Sequence, residues 1–276
     1  MLRLSVSTGS PPTSDPQPSR ARLAHGPLSY VDEGPRLAPA LFAVHGIPGS
    51  VRDFRYLAPH LTERVRFVRL DLPGFGGSPA HEPAVSRLEG RVEALLDLAS
   101  HLGLRRFAVL GHSMGGATAV LTASLRPERV TALVLLASVG LRPHRGLGLS
   151  PRRFRALGHG FSVPGLRGLL VRVARRRYKR RRLPGADELD ARAFGVHFKA
   201  IGAADFAVLR RAFSGPLPPT LLAYARDDHM VEAALQEELA ASLPAARVLA
   251  FESGGHNIQK SRAAELGGSI LELLGV

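Results

Sequence analysis

The chain contains no cysteine. That absence excludes a disulfide framework, a thiol nucleophile and a thiolate metal site. Long apolar runs are missing too. The longest, "VTALVLLASVGL" from Val130 to Leu141, is too short to cross a bilayer, which takes about 20 residues. The N-terminal stretch "MLRLSVSTGSPP" holds no apolar region long enough for a secretory signal. These absences point to a soluble, cytoplasmic protein, peripheral to a membrane at most. Lysine is scarce as well: Lys179, Lys199 and Lys260 are the only three, and every other basic residue is arginine.

What is present is a chain of 276 residues, 45% of them apolar, enough for one large α/β domain or two small ones. The formal net charge is +14. Its location is uneven. Between Leu141 and Phe213 there are 18 Arg and Lys against 4 Asp and Glu, while the rest of the chain holds 19 of each sign. One internal segment therefore carries all of the excess.

Outside that segment, strand and helix patterns alternate. Thr8 to Ser19 is rich in Pro and Ser, and a tail over 1–20 is expected to be disordered. "GPLSYVDEG" reads as a strand ending in a turn, and "ALFAVHG" as a strand buried on both faces. "RDFRYLAPHLTER" has helical spacing of Phe54, Leu57 and Leu61. "RFVRLDLPG" gives another strand, and Arg87 to Gly103 an amphipathic helix stopped by its glycine. After the basic segment come strand "PTLLAYA", helix "VEAALQEELAASL", strand "RVLAFES" and helix "IQKSRAAELGGSILELL". The alternation predicts a doubly wound, mostly parallel α/β sheet.

Within it, "VLGHSMGGATA" places Ser113 between Gly111 and Gly115, at the junction of a buried strand and a helix. A serine on so tight a turn adopts a strained backbone, and small flanking residues let the neighbouring chain pass. Its hydroxyl then stands over a helix N-terminus, where developing negative charge is stabilised. A hydroxyl also needs a base, and the base an orienting carboxylate. In an open parallel sheet such groups gather at the carboxyl ends of strands. The strand ending at Ala225 runs into "RDDH", with Asp227 and Asp228; the strand ending near Glu252 runs into "SGGHN", with His256; the strand ending at Val44 runs into "HGIPGS". Of the remaining candidates, His45 and Asp71 read as structural, His112 as lining a pocket or packing, and Asp227-Asp228-His229 as a poor metal site, since three adjacent residues rarely converge on one ion.

The quoted segments resemble the α/β-hydrolase superfamily. "HGIPGS" resembles its oxyanion loop, "DLPGFGGS" its D-x-P-G-x-G-x-S segment, "GHSMGG" its nucleophile elbow, and "YARDDHMV" and "GGHNIQ" its acid and histidine loops. The resemblance covers roughly 26–140 and 219–274. It implies Ser113 as nucleophile, His256 as base, and an oxyanion hole from the backbone amides of Ile47 and Met114, with no cofactor and no metal. Counting from Ala225, where the family has glycine, puts the family's acid at Asp228; Glu232 stands where the family has proline. The domains are then a core over 21–140 and 219–276, with a basic, mainly helical cap over 141–218 inserted before the acid-bearing strand.

The expected activity is cleavage of an ester or related acyl bond through an acyl-enzyme. The same groups also serve C–C bond hydrolysis, acyl transfer or cofactor-free peroxidation. An alternative of another class is a non-catalytic binding protein of the same fold, which would need neither Ser113 nor His256. In "LRGLLVRVARRRYKRRR", Leu166, Leu169, Leu170 and Val173 share a helical face. Arg172, Arg175, Arg176, Arg177, Lys179, Arg180, Arg181 and Arg182 then suit an anionic membrane surface or an acidic substrate, or form a solvated outer face. With Tyr178 as its one aromatic and no recognised module, the run argues against nucleic acid.

Overall fold

The computed structural model describes residues 15–180, 187 and 189–276. Its strands are β1 (Ser19–Ala21), β2 (Leu28–Glu33), β3 (Ala40–Val44), β4 (Arg66–Leu70), β5 (Phe107–His112), β6 (Val130–Leu136), β7 (Thr220–Ala225) and β8 (Arg247–Phe251). Its helices are α1 (Leu88–His101), α2 (Gly115–Leu125), α3 (Pro151–Gly160), α4 (Pro164–Arg180), α5 (Ala191–Gly202), α6 (Phe206–Ser214), α7 (Ala233–Ser242), α8 (Ile258–Ser261) and α9 (Ala263–Leu274).

The strands form one sheet in the order β1-β2-β4-β3-β5-β6-β7-β8. β1 and β2 are antiparallel, and every pairing from β4 to β8 is parallel. Side chains alternate across the sheet as the pleat requires. Phe42, Val44, Val68 and Val109 join a core that includes Val92 and Leu95 of α1 and Val120 of α2. Leu41, Ala43, Phe67 and Leu110 join a second core with Leu266 and Ile270 of α9. Both faces are covered, so the central strands are continuous apolar runs. α3 to α6 lie between β6 and β7; α3 and α5 pack together, and α6 packs on α2.

Buried charges hold the periphery. Arg69 is fully enclosed and pairs with Glu33 and Asp15. Arg91 donates to the carbonyls of Ala84, Val85 and Ala200, which ties the approach to α1 onto the end of α5. Burial lowers its guanidinium to about 10, so it remains charged at neutral pH.

Three expectations are corrected. The tail is ordered from Asp15 onward, with Ser19–Ala21 paired to β2; residues 1–14 lie outside the described residues. The helix read from Phe54, Leu57 and Leu61 is only two short helical turns, Val51–Phe54 and Ala58–His60. Pro59 has no amide to continue a helical ladder there. The spacing had a different cause: all three side chains are buried against the sheet. The last helix is broken at Arg262, whose φ of −129° separates α8 from α9.

Burial also sets an acid sensitivity. Burial lowers His197 to about 4; its ring stacks on Phe75 at 4.9 Å and hydrogen-bonds the Tyr178 hydroxyl. A histidine kept neutral in the folded state binds fewer protons than in the unfolded chain. Its stabilising contribution is therefore complete above about pH 6.5 and is lost as the pH falls toward 4. The melting temperature should drop across that window. His197→Gln should flatten the drop by up to about 3 kcal/mol at its acid end. An unchanged slope in the variant would contradict this.

Candidate active site

β5 ends at His112 and α2 begins at Gly115, so Ser113 makes the turn. Its φ of +53° lies in the left-handed region that side chains avoid. The turn is held from three sides. The Ser113 amide donates to the Leu136 carbonyl at 3.0 Å, and the Ser113 carbonyl accepts from the amides of Gly116 and Val139. The two flanking glycines are needed for space. A Cβ on Gly111 would sit 2.5 Å from the Gly115 carbonyl oxygen, and one on Gly115 would sit 2.2 Å from the Val44 carbonyl oxygen. Gly115→Ala should therefore destabilise by about 2–3 kcal/mol, read as a lower urea midpoint at unchanged slope. A neutral substitution would mean the strand–helix contact is looser than described.

Around this turn the predicted residues converge. The Ser113 hydroxyl lies 2.9 Å from His256 Nε2. His256 Nδ1 donates to Asp228 Oδ2 at 2.8 Å. The other carboxylate oxygen, Asp228 Oδ1, accepts from the amides of Met230 at 2.7 Å and Val231 at 3.1 Å. Burial alone would raise the Asp228 carboxyl. The His256 hydrogen bond and charge, with the two amides, outweigh it and hold the group below the usual carboxylate range.

Asp227 holds a different loop. Its Oδ1 reaches across to accept from the amides of Gly254 and Gly255, at 2.9 and 2.8 Å. It thus pins the loop that carries His256. α7 starts after Glu232, which makes no side-chain cap.

The neighbouring histidines sort by their bonds. His45 accepts from the Leu72 amide at Nε2 and donates from Nδ1 to the Gly46 carbonyl, which welds the end of β3 to the end of β4. His112 Nε2 donates to the His256 carbonyl at 2.9 Å. Burial first, then the charge of His256, lowers it to about 3, so it stays neutral and supports the histidine loop from below. Asp71 is fully buried and accepts from the amides of Val51 and Gly77. It shapes the turn after β4 and does not reach the serine.

Above Ser113 lies a cavity of about 370 Å³. Ile47 and Met114 line it beside the serine, and neither backbone amide donates to an acceptor among the described residues. The far wall comes from the inserted helices, through Phe154, Arg177, Tyr178 and Ile201. Sequence motifs did not reveal these, because the insertion carries none. Asp53 also lines the cavity. Burial raises its carboxyl. Its signal was available: Ser50 and Asp53 form a capping box, S-x-x-D. Among the described residues no group of three or more His, Cys, Asp or Glu could hold a metal ion. No helix there is long and apolar enough to cross a membrane.

A family model described as alpha/beta hydrolase fold matches residues 39–161. RutD of Pseudomonas savastanoi pv. phaseolicola (strain 1448A / Race 6), a carbamate hydrolase by name, is 30% identical over 233 residues, 79% of this chain and 87% of that one. The sn-1-specific diacylglycerol lipase ABHD11 of Mus musculus is 36% identical over 143 residues, 50% of this chain and 46% of its own. Several curated relatives match over a shorter stretch, and the chain spans only 36% to 46% of their length. Among solved structures, the enol-lactonase from Burkholderia xenovorans LB400 superposes with a TM-score of 0.74 at 22% identity, over 94% of this chain and 100% of that one. With an eight-stranded, mostly parallel sheet and a relative 30% identical over 79% of this chain and 87% of its own length, the chain belongs to the alpha/beta hydrolase family.

Proposed function

We propose that the protein is a serine hydrolase that cleaves an ester or related acyl bond through an acyl-enzyme. The observation that carries this reading is the unbroken chain from Asp228 through His256 to Ser113, ending on the strained turn at the floor of an open cavity. Ser113 Oγ attacks the carbonyl carbon, and its proton passes to His256 Nε2. Asp228 stabilises the imidazolium that results. The oxyanion faces the free amides of Ile47 and Met114. His256 then protonates the leaving group, which departs and leaves the acyl group on Ser113. Water attacks that ester while His256 takes its proton, and the acid is released as Ser113 regains its hydrogen.

The named relatives support the reading: carbamate, diacylglycerol and enol-lactone each present a carbonyl bonded to a departing heteroatom. α3 to α6 act in it as a cap, whose Phe154, Tyr178 and Ile201 shape the acyl pocket. The test is labelling with a fluorophosphonate probe, followed by a chain-length series of nitrophenyl esters. Labelling at Ser113 with turnover across short to medium chains is expected. A protein that neither labels nor turns over any of the esters would be a binding protein on a hydrolase fold.

A further inference from the structure

We propose that the inserted helix α4 docks the protein onto an anionic lipid surface. The helix has two unlike faces. Ala174 and Tyr178 are buried, and Tyr178 and Arg177 line the catalytic cavity. On the outer side, Leu166, Leu169 and Val173 are 50%, 56% and 57% exposed, and Val163, one residue before the helix, is 45% exposed. Steps of three and four residues put them in one stripe. Among the described residues only Leu37, Leu125, Val248 and Val276 are comparably exposed apolar side chains, and they are scattered. A helix whose outer side is merely solvated carries polar residues there.

The stripe is bordered by cations. Arg172, Arg176, Lys179 and Arg180 follow it along the exposed side of the helix. α4 contains no acidic residue; Lys179 pairs with Asp187, and Arg172, Arg176 and Arg180 have no acidic partner among the described residues. Apolar side chains flanked along one side by arginine match a bilayer whose acyl boundary lies under negative headgroups. Charge also decides against a second copy of this chain as the occupant. The segment from Leu141 to Phe213 holds the whole net charge of +14, so pairing two copies through α4 would press like charges together. Arg181 and Arg182, expected from the sequence to join this patch, lie outside the described residues.

Docking stands apart from the hydrolase reading, since no residue of the stripe lines the cavity. If that reading also holds, lipid meets the stretch of α4 from Leu166 to Val173 while substrate meets Arg177 and Tyr178, nearer its C-terminal end.

The test is co-sedimentation with vesicles of phosphatidylcholine alone and of phosphatidylcholine with about 40% phosphatidylglycerol. Each arginine near an anionic surface strengthens partition about fivefold, so the anionic vesicles should bind at least about tenfold more tightly. Raising salt from about 50 mM to about 500 mM should release the protein, because the Debye length shrinks severalfold. The double variant L166E/L169E should lose about tenfold or more of the binding while keeping the wild-type melting temperature. R172E/R176E should lose the preference for phosphatidylglycerol. Ser113→Ala should bind as the wild type does, which separates docking from catalysis. Equal partition onto both vesicle types, or L166E/L169E binding unchanged, overturns the proposal. So does a dimer that L166E/L169E dissolves in a protein that ignores vesicles, which would make the stripe an interface between copies.

Discussion

Ser113→Ala should lose fluorophosphonate labelling entirely and lower kcat on a nitrophenyl ester by about a millionfold, since serine and histidine act as one unit. The loss should not come from unfolding. Ser113 is small and only 7% exposed, and its turn is held by backbone bonds that alanine keeps: its amide to Leu136, its carbonyl to Gly116 and Val139. A companion variant separates the two effects. At a φ of +53° both serine and alanine are strained, and glycine is not. Ser113→Gly should therefore be equally inactive yet melt higher than Ser113→Ala, by about 1 kcal/mol of stability. A serine on that turn at a cost in stability is what the proposed role as nucleophile requires. Labelling that survives in Ser113→Ala would place the reactive hydroxyl elsewhere. A Ser113→Gly protein no more stable than the alanine variant would mean that the strain is relieved by movement of the turn.

The parts of the site readable from sequence are those whose chemistry is local. Gly111 and Gly115 announce a turn because no side chain fits beside Gly116 or Val44, and that crowding is a property of the strand–turn–helix itself. Asp228 and His256 follow the strands that end at Ala225 and Phe251, so a correct reading of two strands delivers both to one edge of the sheet. The residues facing them from α3 to α5 were not legible. Phe154, Tyr178 and Ile201 stand on helices whose packing sets which side chains meet the cavity, and no spacing rule encodes that packing. α4 is the clearest case. The sequence shows Leu166, Leu169, Leu170 and Val173 on one face of an amphipathic basic helix, which leaves open whether that face packs inward or meets a membrane. In the fold Leu166, Leu169 and Val173 look outward and only Leu170 is partly covered.

The fold shows the same division. Apolar runs at "ALFAV" and "VTALVLL" read directly as buried strands because helices cover both faces of the sheet. Phe54, Leu57 and Leu61 have helical spacing without a continuous helix, because all three are buried against the sheet and Pro59 interrupts the ladder between them. β1 follows directly on the Pro- and Ser-rich stretch and shares only Ser19 with it. Its pairing with β2, and the Asp15 contact to buried Arg69 beside it, are long-range and leave no local signature.

The two adjacent aspartates should respond in opposite ways to the same substitution. Asp228 Oδ1 accepts from the Met230 and Val231 amides, and Oδ2 accepts from His256 Nδ1. In Asp228→Asn the amides keep the side-chain oxygen, so the new NH2 must point at Nδ1. An NH2 only donates, so Nδ1 has to give up its hydrogen and Nε2 must carry it. Nε2 then no longer accepts from Ser113, and kcat should fall by about 10⁴-fold. Asp227 is different. Only its Oδ1 is engaged, by the amides of Gly254 and Gly255. Asparagine retains an oxygen that can accept both, so Asp227→Asn should stay within about threefold of the wild type. Asp227→Ala removes the oxygen and frees the amides of Gly254 and Gly255, leaving the loop held by His112 on the His256 carbonyl and by Ser261 on the Gly254 carbonyl. That variant should lose about tenfold in kcat, since a misplaced base costs rate without changing its chemistry. The measurement is kcat for all three variants on one ester. If Asp227→Asn is the crippled enzyme, the charge of Asp227 matters and the assignment of the acid to Asp228 is wrong. If Asp227→Ala keeps full activity, the bonds from His112 and Ser261 hold the histidine loop without it.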